Sequence, residues 1–282
     1  MWTGLLKNLR AGYRLSLASS CVMLGLIAAG VTAAPGLKRH RPWLAELWFR
    51  SLLRSLNVHL QVEGPAASPA SLQVANHVTW LDVVVLGAAG SNGFVSKAEV
   101  ADWPVVGRLA KVMNTVFLPR GNHQAGAVAE AVRERLQQGY SVVVFPEATT
   151  TDGHETRHFF ARFFAASIDS GCPVQPIGLR YRVPGGDYYA VPYIGDMSFG
   201  QNLAALLKQP RIEVTVTRRA PIKPTGLDRK SLARAARDSI VVGIAQQGVA
   251  PSIVAEQGTT GAEMRSITRP ADSALSRQAK AS

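Results

Sequence analysis

Short apolar runs alternate with longer stretches of helical period over most of this chain. Leu72–Ala75, Gly93–Ser96, Thr115–Leu118, Ser141–Phe145, Val174–Tyr181 and Arg211–Thr217 read as strands, the fourth a continuous SVVVF run stopped by Pro146. Between them Leu81–Ala89, Arg108–Met113, Ala125–Gln138, Phe159–Ser170 and Leu227–Gln247 read as helices, two of them stopped by Gly139 and Gly171. Strands separated by helices predict an α/β fold, a mostly parallel sheet flanked by helices. This region is assigned to residues 59–247. Residues 248–282 are small and polar with little periodicity, and read as a disordered tail.

The N-terminal 58 residues follow a different pattern. Leu15–Ala34 runs for twenty residues without a charge, long enough to cross the hydrocarbon core as a helix. Arg10 and Arg14 precede it and Lys38, Arg39 and Arg41 follow, so the charge balance sets no orientation. A cleaved signal peptide and a helix half-sunk in one leaflet are competing readings. Pro42–Val58 reads as a second helix with Leu44, Leu47, Trp48 and Leu52 at helical spacing and Arg50 and Arg54 sharing a face. That is the make-up of an interfacial amphipathic helix, or of a core helix whose arginines snorkel. The two segments are read together as an N-terminal membrane-associated helix pair.

Composition narrows the class. Lys and Arg total 31 against 19 Asp and Glu, a net charge of +12, while charged residues make up 18% and hydrophobic ones 47% of 282 residues. Such a chain is neither intrinsically disordered nor, with only Cys21 and Cys172, a disulfide scaffold. Few charges, mostly basic, beside long apolar runs point to an anionic membrane surface as partner and not to nucleic acid.

Polar residues collect where strands end, which in open parallel sheets is where chemistry sits. After Leu72–Ala75 comes Asn76-His77-Val78-Thr79-Trp80-Leu81-Asp82. A strand-end histidine and an aspartate one helical turn on can meet, the carboxylate holding one imidazole nitrogen and leaving the other as a base. The same residues also suit a helix N-terminus with an unrelated histidine. Phe145-Pro146-Glu147-Ala148-Thr149-Thr150-Thr151-Asp152-Gly153 brings a carboxylate and hydroxyls past a second strand, and Phe117-Leu118-Pro119-Arg120-Gly121 an arginine past a third. His154-Glu155-Thr156-Arg157-His158 is a literal HExxH, the zinc-protease pattern when it lies on a helix. The residues before it, Thr150-Thr151-Asp152-Gly153, form turns and set the zinc reading well behind; no metal ligands are assigned.

Taken together, these blocks resemble the glycerolipid acyltransferases, the family of the bacterial 1-acyl-glycerol-3-phosphate acyltransferases. NHVTWLD is similar to that family's N-H-x4-D signature. The resemblance continues in order through Val95–Glu99, Trp103–Gly107, Val116–Gly121, Phe145-Pro146-Glu147 and Val174–Gly178, over about residues 60 to 220. It implies that His77 deprotonates an acceptor hydroxyl and Asp82 orients His77. The hydroxyl would then attack an acyl-carrier-protein or coenzyme A thioester, with no cofactor. It further implies that Asn76, Lys97, Arg120, Glu147, Thr149 and Thr150 border the substrates, and that the apolar stretch around Phe94 and Trp103–Leu109 borders the acyl chain. The implied partners are membrane lipids and a lysophospholipid acceptor. The implied location is the inner membrane, with the catalytic domain on the cytoplasmic side, where acyl thioesters are made.

Two departures bear on the acceptor. The family block usually reads Phe-Pro-Glu-Gly-Thr-Arg, and here Ala148 replaces the glycine and Thr150 the arginine. Alanine does not readily take φ > 0, so the turn must be either ordinary or strained. Losing the arginine removes a bidentate phosphate donor. The threonine resembles the lyso-ornithine lipid acyltransferase branch. The expected activity is 1-acyl-sn-glycerol-3-phosphate O-acyltransferase, with lyso-ornithine lipid O-acyltransferase as the alternative.

Overall fold

The computed structural model describes residues 2–246 apart from positions 33, 35, 92, 113–114 and 119–124. Helices α1 (Trp2–Val31) and α2 (Arg41–Ser55) lead into strands β1 (Val58–Glu63) and β2 (Leu72–Ala75). There follow α3 (Leu81–Ala88), β3 (Val95–Lys97), α4 (Val106–Val112), β4 (Val116–Leu118), α5 (Ala125–Gln137) and β5 (Val142–Val144). The chain continues through α6 (Ala165–Ser170), β6 (Val174–Arg182), α7 (Phe199–Leu207), β7 (Ile212–Arg218) and α8 (Arg229–Gln246).

Five strands form one sheet in the order β1-β7-β6-β2-β5. β6, β2 and β5 are parallel, β7 is antiparallel to β6, and β1 is parallel to β7. The parallel pair β3-β4 joins at the β5 edge through a bridge between Phe94 and Val143. The fold is thus α/β with a mostly parallel sheet, as the alternation of elements predicts.

Both faces of the sheet are covered, which is why its central strands carry no clean polar alternation. Leu72, Val74, Val142, Val144 and Val174 pack against Leu136 of α5, Phe164, and Leu232, Ala236 and Ile240 of α8. Ala75, Val143, Ile177, Leu179, Val214 and Val216 turn the other way, onto Leu53 of α2, Leu81 and Val85 of α3, and Leu206 of α7.

α2 is wedged between two glycine notches. A Cβ on Gly87 of α3 would stand 2.2 Å from the Phe49 ring, and one on Gly25 of α1 would stand 2.3 Å from the Trp48 indole. The Trp48 Nε1 donates to the carbonyl of Cys21 at 2.8 Å.

Arginines that the sequence offers as flanking or surface charges are used inside the fold. Arg14 is buried and donates to the carbonyls of Leu207 (3.1 Å) and Pro210 (3.0 Å), and also to that of Gln209, at the C-terminus of α7. Arg50 and Arg218 donate to the carbonyls of Ala88 and Ala89, which end α3. Cations at helix C-termini meet both the free carbonyls and the negative end of the helix dipole.

Three expectations shift. The second helix does not reach Val58. It stops at Ser55, with Asn57 in the left-handed region (φ 56), and Val58–Glu63 starts the sheet as an edge strand. The segment Phe159–Ser170 is helical only from Ala161, first as a 3-10 turn over Ala161–Phe164 and then as α6. Helix α7 adds an element absent from the sequence reading; Ser198 and Gln201 close it with a reciprocal capping box. Residues 248–282, read as a tail, lie outside the described residues.

Candidate active site

The site is built where β2 and β5 end and β6 runs on beside them. Asn76 carries the β2–β6 pairing one step past the strand. Its amide nitrogen donates to the Leu179 carbonyl (3.0 Å), and its amide oxygen accepts from the Leu179 N–H (2.7 Å). Asn76 is buried, and both ends of its amide are taken up by backbone. This fixes the point at which the chain leaves the sheet and hands His77 to the surface.

His77 is held on every side but one. Its N–H donates to Glu147 Oε1 (2.9 Å), and its carbonyl accepts from the N–H (2.8 Å) and hydroxyl (3.2 Å) of Thr151. Its ring stacks on Phe145, with centroids 4.0 Å apart and an interplanar angle of 16°. Nδ1 lies 2.8 Å from Asp82 Oδ2. A carboxylate only accepts, so in the neutral ring it is Nδ1 that carries the proton and Nε2 that keeps its lone pair. Nε2 has no hydrogen-bond partner among the described residues, and the side chain is 20% exposed.

Asp82, in the first turn of α3, is 0% exposed. Oδ2 also accepts from the N–H groups of Val78 (2.7 Å) and Thr79 (3.0 Å), and Oδ1 accepts from the Tyr181 hydroxyl (2.7 Å). A buried carboxylate is tolerable only when so many donors replace its water. The carboxylate that meets the imidazole thus also binds the backbone of the turn leading into α3, while the N-cap position itself is Trp80, which makes no side-chain cap bond. One carboxylate turns the chain into α3 and also fixes the imidazole.

Glu147 is buried as well, and its second oxygen accepts from the Arg157 N–H (2.9 Å). Burial pushes its carboxyl above the usual range, while the two backbone donors pull the other way. The side chain thus clamps the β2 loop to the loop after β5. Next to it Ala148 takes φ 58, so the turn that normally has glycine is strained, with the Ala148 N–H closing it onto the Phe145 carbonyl (3.1 Å). Thr150 donates its hydroxyl to the Tyr193 carbonyl, and Thr149 is exposed. Lys97 is the last residue of β3, and Arg120 lies outside the described residues.

The HExxH residues lie in irregular chain and not on a helix. His154 packs beside Tyr188 and Tyr189 while His158 meets Phe160, and no group of metal-binding side chains occurs among the described residues.

Sequence reasoning missed Tyr181 and the segment after β6. Tyr188 donates to the Asp152 carbonyl (2.7 Å), and Tyr193 N–H donates to the Val78 carbonyl (3.0 Å). Asn202 of α7 accepts from the Trp80 indole (2.8 Å) and donates to the carbonyls of Ala190 and Pro192. These contacts tie the segment after β6 to the turn that carries His77 and Asp82. None falls in a recognisable local pattern, since each joins residues ten or more positions apart.

A buried carboxylate paired with an imidazole that keeps one nitrogen open, where β2 leaves the sheet, is an arrangement able to take a proton from a bound hydroxyl. The Acyltransferase family profile matches residues 56–180. The chain is 36% identical over 232 residues to the lyso-ornithine lipid O-acyltransferase of Pseudomonas aeruginosa, covering 78% of this chain and 90% of that protein. It is 33% identical over 170 residues to the 1-acyl-sn-glycerol-3-phosphate acyltransferase of Neisseria meningitidis serogroup B, covering 59% of this chain and 67% of that one. The crystal structure of the 1-acyl-sn-glycerophosphate acyltransferase PlsC from Thermotoga maritima shares the fold. Its TM-score is 0.72 at 19% identity, over 89% of this chain and 99% of that one. The chain belongs to the lysophospholipid acyltransferase family typified by PlsC.

Proposed function

We propose that this acyltransferase is a lyso-ornithine lipid O-acyltransferase working by His77–Asp82 general-base catalysis. This reverses the order of acceptors expected from sequence. The observation that carries it is the similarity to the P. aeruginosa lyso-ornithine enzyme, which extends over 232 residues against 170 for the lysophosphatidate enzyme of N. meningitidis. Thr150 supports it, because its hydroxyl is spent on the Tyr193 carbonyl and offers no cation to a phosphate.

In the reaction, His77 Nε2 takes the proton of the acceptor hydroxyl as its oxygen attacks the thioester carbonyl of an acyl carrier protein or coenzyme A. Asp82 holds the imidazolium that forms. The tetrahedral intermediate collapses, the C–S bond breaks, and the thiolate leaves and recovers the proton from His77. No enzyme nucleophile and no cofactor take part.

The acceptor is a lipid, and α1 is the surface that brings the enzyme to it. Gly4–Val31 is long and apolar enough to cross a membrane by length and composition. However, Arg14, Ala18, Cys21 and Gly25 form a stripe along it that is spent on α7 and α2. Leu6, Leu9, Tyr13, Met23, Leu24 and Ile27 face outward and exposed, beside Trp43 and Leu47 of α2. A helix bound lengthwise to the catalytic domain enters one leaflet with its free face; it does not stand through the bilayer. On this reading the enzyme is monotopic, on the cytoplasmic side of the inner membrane.

The test is a panel assay with the full chain, labelled acyl thioester, and lyso-ornithine lipid and lysophosphatidate as acceptors. A kcat/KM at least tenfold higher for lyso-ornithine lipid is expected, and a preference for lysophosphatidate would overturn the acceptor assignment. With Cys21 and Cys172 replaced by alanine, cysteines placed at Lys7 and at Arg39, at the two ends of α1, should both be labelled by an impermeant thiol reagent from the same side of sealed vesicles; labelling from opposite sides would mean that α1 spans.

A further inference from the structure

We propose that Tyr181 is a positioning residue of the active site, a third member of the His77–Asp82 pair that fixes the carboxylate from β6 and sets how tightly the pair holds a proton. The proposal rests on the general-base reading above, because it assigns Tyr181 a function only if His77 is the base.

The geometry carries it. Asp82 lies wholly out of solvent, with Oδ2 shared by His77 Nδ1, Val78 N–H and Thr79 N–H. Those three donors all come from the same turn as the aspartate. Oδ1 has one partner, the Tyr181 hydroxyl at 2.7 Å, which reaches it from a different strand 99 residues further along the chain. Tyr181 is itself 4% exposed and lies within the core, paired in register with Val214 of β7. It is therefore the only tie, among the described residues, between the catalytic carboxylate and the body of the sheet. Without it Oδ1 has no donor, and the carboxylate is held through Oδ2 alone, by groups that all belong to its own turn.

The hydroxyl is also a permanent donor. Burial and the neighbouring Asp82 charge hold the Tyr181 phenol well above its ordinary value, so it stays protonated at any working pH. A donor on Oδ1 draws charge away from Oδ2. Removing it leaves more charge opposite His77 and a buried oxygen without a partner. Both changes make the His77–Asp82 pair take up a proton more readily, whichever of the two holds it. The other titratable groups near the pair are Glu147 from the loop after β5 and Tyr188 from the segment after β6, with Asp152 beside Tyr188. They are common to all the variants below, so differences between profiles report Tyr181.

The experiment is the pH profile of kcat/KM on the full-length enzyme in lipid–detergent micelles, for wild type, Tyr181→Phe, His77→Ala, and an enzyme with 3-fluorotyrosine placed at 181. The fluorinated ring keeps the bond and makes it a stronger donor. Tyr181→Phe should move the acidic limb up by about half to one pH unit, the share of a charge-assisted hydrogen bond that reaches the imidazole through the carboxylate. It should also lower the plateau by about three- to tenfold, well short of what losing the base itself costs. The fluorotyrosine enzyme should move the limb in the opposite direction. Limbs that superpose on wild type for Tyr181→Phe and for fluorotyrosine would reduce Tyr181 to core packing and overturn the proposal. If the Phe variant does not fold, the fluorotyrosine limb alone decides in the same way. His77→Ala with activity within threefold of wild type would instead overturn the general-base reading, an outcome separable from the first.

Discussion

Replacing Ala148 by glycine should stabilise the protein. Ala148 has φ 58 and is exposed, so its methyl group costs backbone strain and gains no packing. A left-handed L-residue costs about 1–2 kcal/mol, while glycine loses about 0.5–1 kcal/mol more conformational entropy on folding than alanine. The difference leaves a net gain of about 0.5–1 kcal/mol. In a chain of this size that is a rise of about 2–3 °C in Tm. The turn stays anchored on both sides, by Glu147 on the backbone of His77 and Arg157 and by Thr150 on Tyr193, so kcat/KM should remain within about twofold. Thermal unfolding of the purified protein, paired with an initial-rate assay, measures both. Ala148→Val makes the test two-sided, since a β-branched residue fits this conformation worse than alanine and should lower Tm. A glycine variant no more stable than wild type, with a valine variant equally stable, would mean that the turn is not left-handed in solution.

Asp82→Asn keeps the size of the side chain but places an amide against donors. It should cut kcat by about 10²-fold or more with KM little changed, because the imidazolium loses its counter-charge; near-normal kcat would leave Asp82 as a brace of the turn before α3 alone. Gly87→Val drives a side chain into the Phe49 ring and should cost about 1–3 kcal/mol of stability, read by denaturant unfolding. If unfolding is unchanged, the α2–α3 contact is looser than described. Arg14→Met removes three carbonyl contacts at the end of α7, hydrogen bonds of a kind worth about 1.5–3 kcal/mol when one partner is charged. It should free the start of α1 to proteolysis, and unchanged cleavage would show that Arg14 does not hold the helix.

Much of the fold was legible because its strands are buried on both faces and interrupted by helices of clear period. Val142–Val144 and Leu72–Ala75 could hardly be anything else. Val58-His59-Leu60-Gln61-Val62-Glu63 alternates as an edge strand should, but the helical pattern of Leu44, Leu47, Trp48 and Leu52 was carried across Asn57, whose left-handed conformation ends α2. Ser198 and Gln201 spell a capping box ahead of Leu203, Leu206 and Leu207, so α7 also had its signal. The arginines were less legible. Nothing local distinguishes Arg14 or Arg50, bound to the end of another helix, from a charge facing lipid head groups, because the carbonyls they meet lie far away in sequence.

The site divides along the same line, and the division bears on specificity. The pairing of His77 with Asp82 is local, five residues within one turn, and it could be read from spacing. Asn76, Glu147 and Thr150, grouped by resemblance with the residues that border substrate, have their polar atoms engaged by the backbone of Leu179, His77, Arg157 and Tyr193. A group already satisfied inside the protein gains little by turning to a ligand, since it must first give up a buried hydrogen bond. Asn76 and Glu147 are thus placed to act through His77, by fixing where its ring points, while Thr150 ties the loop after β5 to Tyr193. Selection between an ornithine and a phosphate head group then falls to side chains that still have free valence beside the open nitrogen of that ring. Substitutions at Asn76 or Glu147 should accordingly lower kcat for both acceptors alike and leave their ratio of kcat/KM unmoved, and a change in that ratio would return them to the acceptor site.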